Sequence, residues 1–403
     1  MREPRVVVTG LGLVTPMGIG REANAEGFRA GRTALKTITL FDTSRQRAHQ
    51  GGEVSLAGAD VNRPAAMLEL AAKEALDQSG WVLPQDDTIP LVFGTSAGAM
   101  TLGEGFYKQT LNSTSRIGQA RRIHGYYPQS QVLHLCKTFG IRGPITIIAN
   151  ACASGANAIG HAASLIRNGS ATRMLCGGYD ALAELVFAGF DSLQALSTTT
   201  PRPFDANRDG LALGEGAAVF TLEDLETAIA RDATVLAEVA GYGASTDVHH
   251  LTQPHPDGVA ALQSMRAACH DAKIEPGDID YINSHGTGTP LNDSAEANAI
   301  RAWANGAVSK VRVSSTKGSI GHLLGGAGAV EAGICILAMR GGWIPPNVPV
   351  ETTDPTVAFD LVTSPRDAKL TSVLTNSFGF GGANATVILT TFLSKSLMVG
   401  ALH

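Results

Sequence analysis

The chain is 403 residues long, 44% hydrophobic and 17% charged, with a mean hydropathy of +0.08, enough for one large core or two fused ones. Its net charge of −5 at pH 7 excludes the strongly basic face that nucleic acid calls for, so no nucleic-acid partner is expected. No uncharged run of about 18 apolar residues stands out and no signal-peptide pattern opens the chain, so no membrane insertion and a cytoplasmic location are expected.

In chain order, residues 6–8 read as the first strand. Gly10-Leu11-Gly12 after it is only a fragment of a dinucleotide fingerprint, because Thr15 stands where the third glycine belongs, and no nucleotide is expected. Residues 65–78 read as a helix and 89–93 as a strand. A β-branched strand at 145–148 stops abruptly before Asn150-Ala151-Cys152-Ala153-Ser154, and a small-residue helix over 155–167 ends at Asn168-Gly169. Further strands cover 173–176 and 217–222, with a long polar connection over 197–210 between them, of the kind that often carries function. A new strand-rich stretch starts around 234–244, which divides the chain into expected halves of residues 1–240 and 241–403. In the second half, helices are expected over 258–272, 293–303 and 323–340. Strands are expected at 279–282, 311–313, 373–374 and 386–389. Strands alternating with helices predict an α/β fold with largely parallel sheets covered on both faces.

Cys152 sits at a strand-to-helix junction, where the partial positive charge of a helix N-terminus favours thiolate over thiol. The other reading of a cysteine among alanines is a small buried core residue, and on this segment alone both stand. Cys136, Cys176, Cys269 and Cys335 lie in apolar contexts and read as core. No Cys-x-x-Cys pair suggests a metal or a dithiol. His285 follows the strand at 279–282 and opens Gly286-Thr287-Gly288-Thr289-Pro290. His322 precedes a glycine-alanine helix carrying Glu331. Catalytic groups in α/β folds gather at strand ends, so a thiol and two histidines in such places form a coherent set. Asn376-Ser377-Phe378-Gly379-Phe380-Gly381-Gly382-Ala383-Asn384 reads either as a hairpin loop or as exposed N–H groups for an oxyanion, with phenylalanine guarding an apolar mouth. His134, His161, His249, His250 and His255 read as surface or satisfied core.

The segments around Cys152, His285, Ser314 to Glu331 and Asn376 to Asn384 resemble, in order and spacing, the four signature segments of β-ketoacyl-acyl carrier protein synthases. Pro203-Phe204-Asp205 to Arg208-Asp209-Gly210 adds a fifth, and the resemblance runs over almost the whole chain. It implies a thiolase-like duplicated fold, a layered αβαβα body with mixed sheets. The N-terminal half would carry the cysteine, and the C-terminal half the two histidines and the glycine-rich loop. Residue by residue, Cys152 matches the acyl-accepting nucleophile, His285 and His322 the histidine pair, and Lys317 and Glu331 supporting polar residues. Thr287 and Thr289 match hydroxyls on the pantetheine arm. Phe380, in a loop with Phe378 and Gly379, matches a gating aromatic whose N–H joins that of Cys152 in an oxyanion hole.

The implied reaction is decarboxylative condensation of a Cys-bound acyl chain with malonyl-acyl carrier protein, extending the chain by two carbons in fatty acid, polyketide or polyene synthesis. It implies no metal and no cofactor beyond the phosphopantetheine of the carrier, and a homodimer or a ketosynthase heterodimer. A second histidine at 322 favours elongation, since priming and plant polyketide relatives carry His and Asn, and thiolases His and a second Cys. A catalytic subunit paired with a silent, chain-length-setting partner is the alternative, and a thioester hydrolase a distant third. Two departures bear on partner and substrate. Of the basic residues the family carries near 60–67 only Arg63 remains, leaving Arg202, with Arg45, Arg47, Arg121 and Arg122, to steer an acidic carrier. Ala97 replaces a bulky aliphatic residue on the acyl-pocket wall, which implies a wider or longer pocket.

Overall fold

The computed structural model describes residues 4–58, 62–83, 88–112 and 123–392. Val6–Thr15 is buried along its whole length and lies at the middle of the main sheet. It pairs antiparallel with Gly216–Asp224, which pairs antiparallel with Arg173–Asp180, and Leu91–Gly94 and Ile145–Ile148 extend this half in parallel. On the other side, Ala237–Thr246 pairs antiparallel with Ala383–Thr390, and that strand antiparallel with Ser372–Phe378. Tyr281–Asn283, Arg312–Ser314 and Asp360–Leu361 follow in parallel. The first four pairings run in the same order on both sides, and the second side adds the parallel strand Asp360–Leu361, so the topology is a duplication, joined where Val7 and Val8 lie beside Glu238 and Ala237. The strand Ala237–Thr246 straddles the expected division between 240 and 241; a proposed division ahead of Ala237 keeps it whole.

Helices Ser154–Arg167 and Ala327–Gly341 pack on each other and on strands of both halves, forming the middle layer. Their small residues allow this closeness. A Cβ on Gly155 would come within 2.8 Å of the Ala329 nitrogen, and one on Gly328 within 2.8 Å of the Ala156 nitrogen. Arg63–Ser79 covers the outer face of the first half and Val259–Ala272 that of the second. The result is the layered αβαβα arrangement with mixed sheets that the resemblance implies. Among the described residues one segment, Leu324–Gly341, is by length and composition apolar enough to cross a membrane. It is 83% buried inside the protein and forms part of the core.

The first strand runs well past residue 8, so Gly10 and Gly12 lie inside it and not in a nucleotide-binding turn. Their role is packing. A Cβ on Gly12 would stand 1.8 Å from the Ala71 carbonyl oxygen and one on Gly10 2.1 Å from that of Ala75, both on the helix Arg63–Ser79. The second half has the same device in Gly241 and Gly243 against the carbonyls of Ala268 and Ser264. Both strands also shift register just before the first glycine of each pair. Gly12→Ala is expected to force the helix off the sheet and destabilise the protein by about 1–3 kcal/mol, the usual range for overpacking. A lowered denaturant midpoint with an unchanged m-value would register it.

Candidate active site

The strand Ile145–Ile148 ends at a single 3-10 turn, Ala151–Ala153, which runs directly into the helix Ser154–Arg167. Ala151 takes a left-handed φ of 56°, at a cost of about 1–3 kcal/mol for a residue with a Cβ. Ser154 holds the turn: its hydroxyl accepts from the Asn150 N–H at 3.0 Å and donates to the Ala151 carbonyl at 2.5 Å. The turn leaves Cys152 7% exposed on the wall of a cavity of about 280 Å³ that it shares with His285, His322, Thr287, Thr289 and Phe380.

Burial pushes the Cys152 thiol up to about 12, against the opposing pull of the Lys317 charge and of the backbone N–H groups of Phe380 and Cys152 itself. The preference for thiolate expected from the helix N-terminus is therefore outweighed by desolvation, and the resting sulfur is a thiol. The two N–H groups that act on Sγ are the pair implied for an oxyanion hole. Gly379 lets the Phe380 N–H come close to the turn: a Cβ there would lie 3.0 Å from Ala151 Cβ and 3.1 Å from the Cys152 nitrogen.

Glu296, 1% exposed, accepts from the His285 and Gly286 N–H groups at 2.9 and 2.8 Å and from Asn376 at 3.1 Å, which fixes the backbone carrying His285. Asp293 does the same for the next residues, accepting from the N–H groups of Thr287 and Gly288, while the two threonine hydroxyls lie 2.9 Å apart. His322 is held through its backbone, which bridges to Leu213 between the Ala212 carbonyl and the Gly214 N–H. The rings of His285 and His322 meet edge to face at 5.2 Å, and neither Nδ1 has a hydrogen-bond partner among the described residues. Burial, reinforced by the charge of Lys317, holds both imidazoles well below the ordinary histidine range, so each is neutral at pH 7 with one N–H to donate and one lone pair.

Lys317 and Glu331 stand behind this surface, 2% exposed each and paired with one another. Burial lifts the Glu331 carboxyl to about 7 despite the lysine. Lys317 reaches Cys152 and both imidazoles through its charge, and neither residue lines the cavity.

The glycine-rich loop is the hairpin connection of one of its two readings. It closes the antiparallel hairpin of Ser372–Phe378 and Ala383–Thr390, with Gly381 and Gly382 at φ of 81° and 85°, and it also aims an N–H at Cys152. The Phe378 ring lies 5.5 Å from that of His285. Phe380 is 39% exposed and stacks at 5.7 Å on Phe190, a cavity-lining residue of the helix Glu184–Ser192 that the sequence reading did not single out. His250, read as surface or satisfied core, is exposed but also lines the cavity. Its segment is laced to the loop by Gly381 N–H to Leu251 O and Asp247 N–H to Gly382 O.

Three expectations need correction. Arg63 points inward, paired with the fully buried Glu215 and donating to the Val54 carbonyl. The Arg202 side chain is 15% exposed and engaged by Glu351 at 3.0 Å and Thr199 at 3.3 Å. Neither is the free surface cation that electrostatic steering of a carrier requires, and Arg121 and Arg122 lie outside the described residues. Ala97 is not on the wall of the cavity holding Cys152. It packs against the apolar cluster of Phe187, Leu196, Leu211 and Leu324 that Phe190 also packs against.

Residues 3–228 match the β-ketoacyl synthase N-terminal domain and 236–351 its C-terminal domain. The chain is 36% identical to 3-oxoacyl-[acyl-carrier-protein] synthase 2 of Synechocystis sp. over 96% of its own length and 98% of that protein. Among solved structures, the ishigamide ketosynthase/chain length factor is similar at 32% identity and a TM-score of 0.91, over 97% of this chain and all of that one. AntDE:AntF, a type II polyketide synthase acyl-carrier protein in complex with its ketosynthase bound to the hexaketide, is similar at 25% identity and a TM-score of 0.90, with the same coverage.

Proposed function

The chain belongs to the β-ketoacyl synthase family and is a condensing acyltransferase, and we propose that Cys152 accepts its acyl chain and that His285 and His322 serve its condensation step. One observation carries this reading: a single cavity brings a thiol flanked by two backbone N–H groups together with two neutral imidazoles in ring contact.

The first half-reaction exchanges thioesters. Cys152 Sγ attacks the carbonyl of a carrier-bound acyl group while an imidazole lone pair takes the thiol proton. The carbonyl oxygen gathers negative charge between the Phe380 and Cys152 N–H groups, and the pantetheine sulfur leaves and receives the proton. Malonyl-carrier then loses carbon dioxide. The enolate oxygen needs donors, which two neutral imidazoles supply without placing a net charge in a buried site. Its carbon attacks the acyl group on Cys152, the sulfur leaves as thiolate and takes up a proton from solvent, and a 3-ketoacyl-carrier two carbons longer departs. Thr287 and Thr289, on the cavity wall, are suited to hydrogen-bond the pantetheine arm. No cofactor beyond that arm takes part.

The partner is an acyl carrier protein. A second subunit fits the strand Ile145–Ile148, which ends the sheet with one edge unpaired among the described residues and all four of its residues only partly buried. Its place just before Cys152 would put the subunit contact beside the nucleophile, in a homodimer or against a chain-length-setting partner. The presence of Cys152 supports the catalytic role for this chain in either assembly, and a cytoplasmic location is proposed with it.

Two measurements test the reading. With acyl-carrier and malonyl-carrier supplied together, mass spectrometry is expected to find the acyl adduct on Cys152 and a 3-ketoacyl product. Adduct without product would sink the elongation claim, and free acid alone would mean hydrolysis. The pH dependence tests the proton transfer. With the imidazoles neutral and the thiol protonated, Cys152 acylation is expected to stay flat from about pH 7 to 9. A tenfold rise per unit would mean that pre-formed thiolate attacks and no histidine takes the proton.

A further inference from the structure

Asp180, at the end of the strand Arg173–Asp180, is fully buried; its charge helps to raise the Cys152 thiol, but it takes no step in the chemistry above. Five donors converge on its carboxylate. Oδ1 accepts from the Thr95 hydroxyl at 2.7 Å and from the Ala97 and Gly98 N–H groups at 2.9 and 3.0 Å. Oδ2 accepts from the Ser96 N–H at 2.9 Å and the Gly325 N–H at 2.6 Å. Burial lifts the carboxyl to about 6, which leaves it ionised at neutral pH.

These donors belong to two turns far apart in sequence. The first, residues 95–98, carries Ala97 and leads into the helix Met100–Asn112. The second, Leu324–Gly326, follows His322 and starts the helix Ala327–Gly341. They are pressed together: a Cβ on Gly325 would stand 2.4 Å from the Ser96 nitrogen. The second turn also touches the nucleophile's helix, since a Cβ on Gly155 would lie 2.8 Å from the Gly325 oxygen.

The contact has a consequence for the acyl chain. Leu324 is held at a left-handed φ of 51°, a strained state for a leucine that persists only where the surroundings impose it. Its buried side chain joins Phe187, Leu196 and Leu211, the cluster against which both Ala97 and Phe190 pack. Phe190 in turn lines the Cys152 cavity and carries Phe380 on its face. One anion thus fixes the positions of Leu324 and Ala97 together, behind the aromatic pair that flanks the nucleophile.

We propose that Asp180 is a positioning residue that clamps the Ala97 turn and the Leu324 turn to each other, and through the apolar cluster they share seats the Phe190–Phe380 pair on the Cys152 cavity, and so governs which chain lengths Cys152 accepts. This rests on the reading of Cys152 as the acyl acceptor.

The test uses the full-length protein and a series of acyl-pantetheine thioesters of increasing length, with the rate of Cys152 acylation followed by intact-protein mass spectrometry. Thr95→Val removes one donor while keeping the side-chain shape. It is expected to change the ratio of long-chain to short-chain rates about tenfold, the scale of one hydrogen bond to a charged group. Asp180→Asn is expected to change it further, and Thr95→Ser, which keeps the hydroxyl, to retain the wild-type ratio. A role in folding alone would lower every rate by one common factor. Ratios within about twofold of wild type in both Thr95→Val and Asp180→Asn would overturn the proposal. If Asp180→Asn does not fold, Thr95→Val decides alone. Absence of acylation in the wild type itself would overturn the functional reading and this proposal with it.

Discussion

Cys152→Ala is expected to abolish acyl transfer, lowering the rate of covalent acylation and of 3-ketoacyl formation by about 10⁴-fold or more, as loss of a covalent nucleophile does. Nothing else in the cavity can replace it. The hydroxyls of Thr287 and Thr289 face one another at 2.9 Å, and Cys176 and Cys335 are fully buried outside the cavity. Decarboxylation of malonyl-carrier should follow a different course. It requires hydrogen-bond donors for an enolate and no thiol, so carbon dioxide release is expected to continue in this variant. Intact-protein mass after incubation with acyl-carrier would report the first effect and release of labelled carbon dioxide the second. An adduct still forming on the variant would remove Cys152 from the mechanism. Loss of carbon dioxide release in a folded variant would mean that the sulfur takes part in both half-reactions.

The places where sequence reading worked and failed have physical causes. Cys152, His285 and His322 were legible because each sits where an apolar run ends in glycines or small residues. Such junctions leave a strand end facing a cavity. The histidine environment was not legible: Glu296 and Asp293 look like helix-surface carboxylates in a chain reading, and only the fold turns them under the His285 loop to accept its N–H groups. Phe190 had no signal, being one apolar residue in a short apolar helix. The expected thiolate failed for a quantitative reason. The charge at a helix end was weighed and the desolvation of a nearly buried sulfur was not, and the second is larger. Arg63 and Arg202 failed in a similar way, because sequence cannot tell a solvated guanidinium from one already paired with Glu215 or Glu351. The duplication is clear in the pairing order, and in sequence one trace of it is the match of Gly10-Leu11-Gly12 with Gly241-Tyr242-Gly243. Those pairs are kept by carbonyls of the covering helices that leave no room for a Cβ.

His322→Ala is expected to separate the two half-reactions. Removal of one donor from a preorganised oxyanion site typically costs about 10²–10³ in rate, so malonyl decarboxylation and condensation should both fall on that scale. Acylation of Cys152 should fall by less, because the oxyanion of that step is proposed to lie between the Phe380 and Cys152 N–H groups and His285 still offers a lone pair. His322→Gln, which keeps a side-chain N–H, is expected to retain more decarboxylation than His322→Ala. The ring contact at 5.2 Å makes the two histidines one unit, so adding His285→Ala should cost less than the product of the single losses. Measuring the adduct on Cys152 and carbon dioxide release side by side gives the comparison. Equal losses in both readouts would mean that His322 serves the thiol as much as the enolate, and its role as a donor to the malonyl-derived oxygen would then fall.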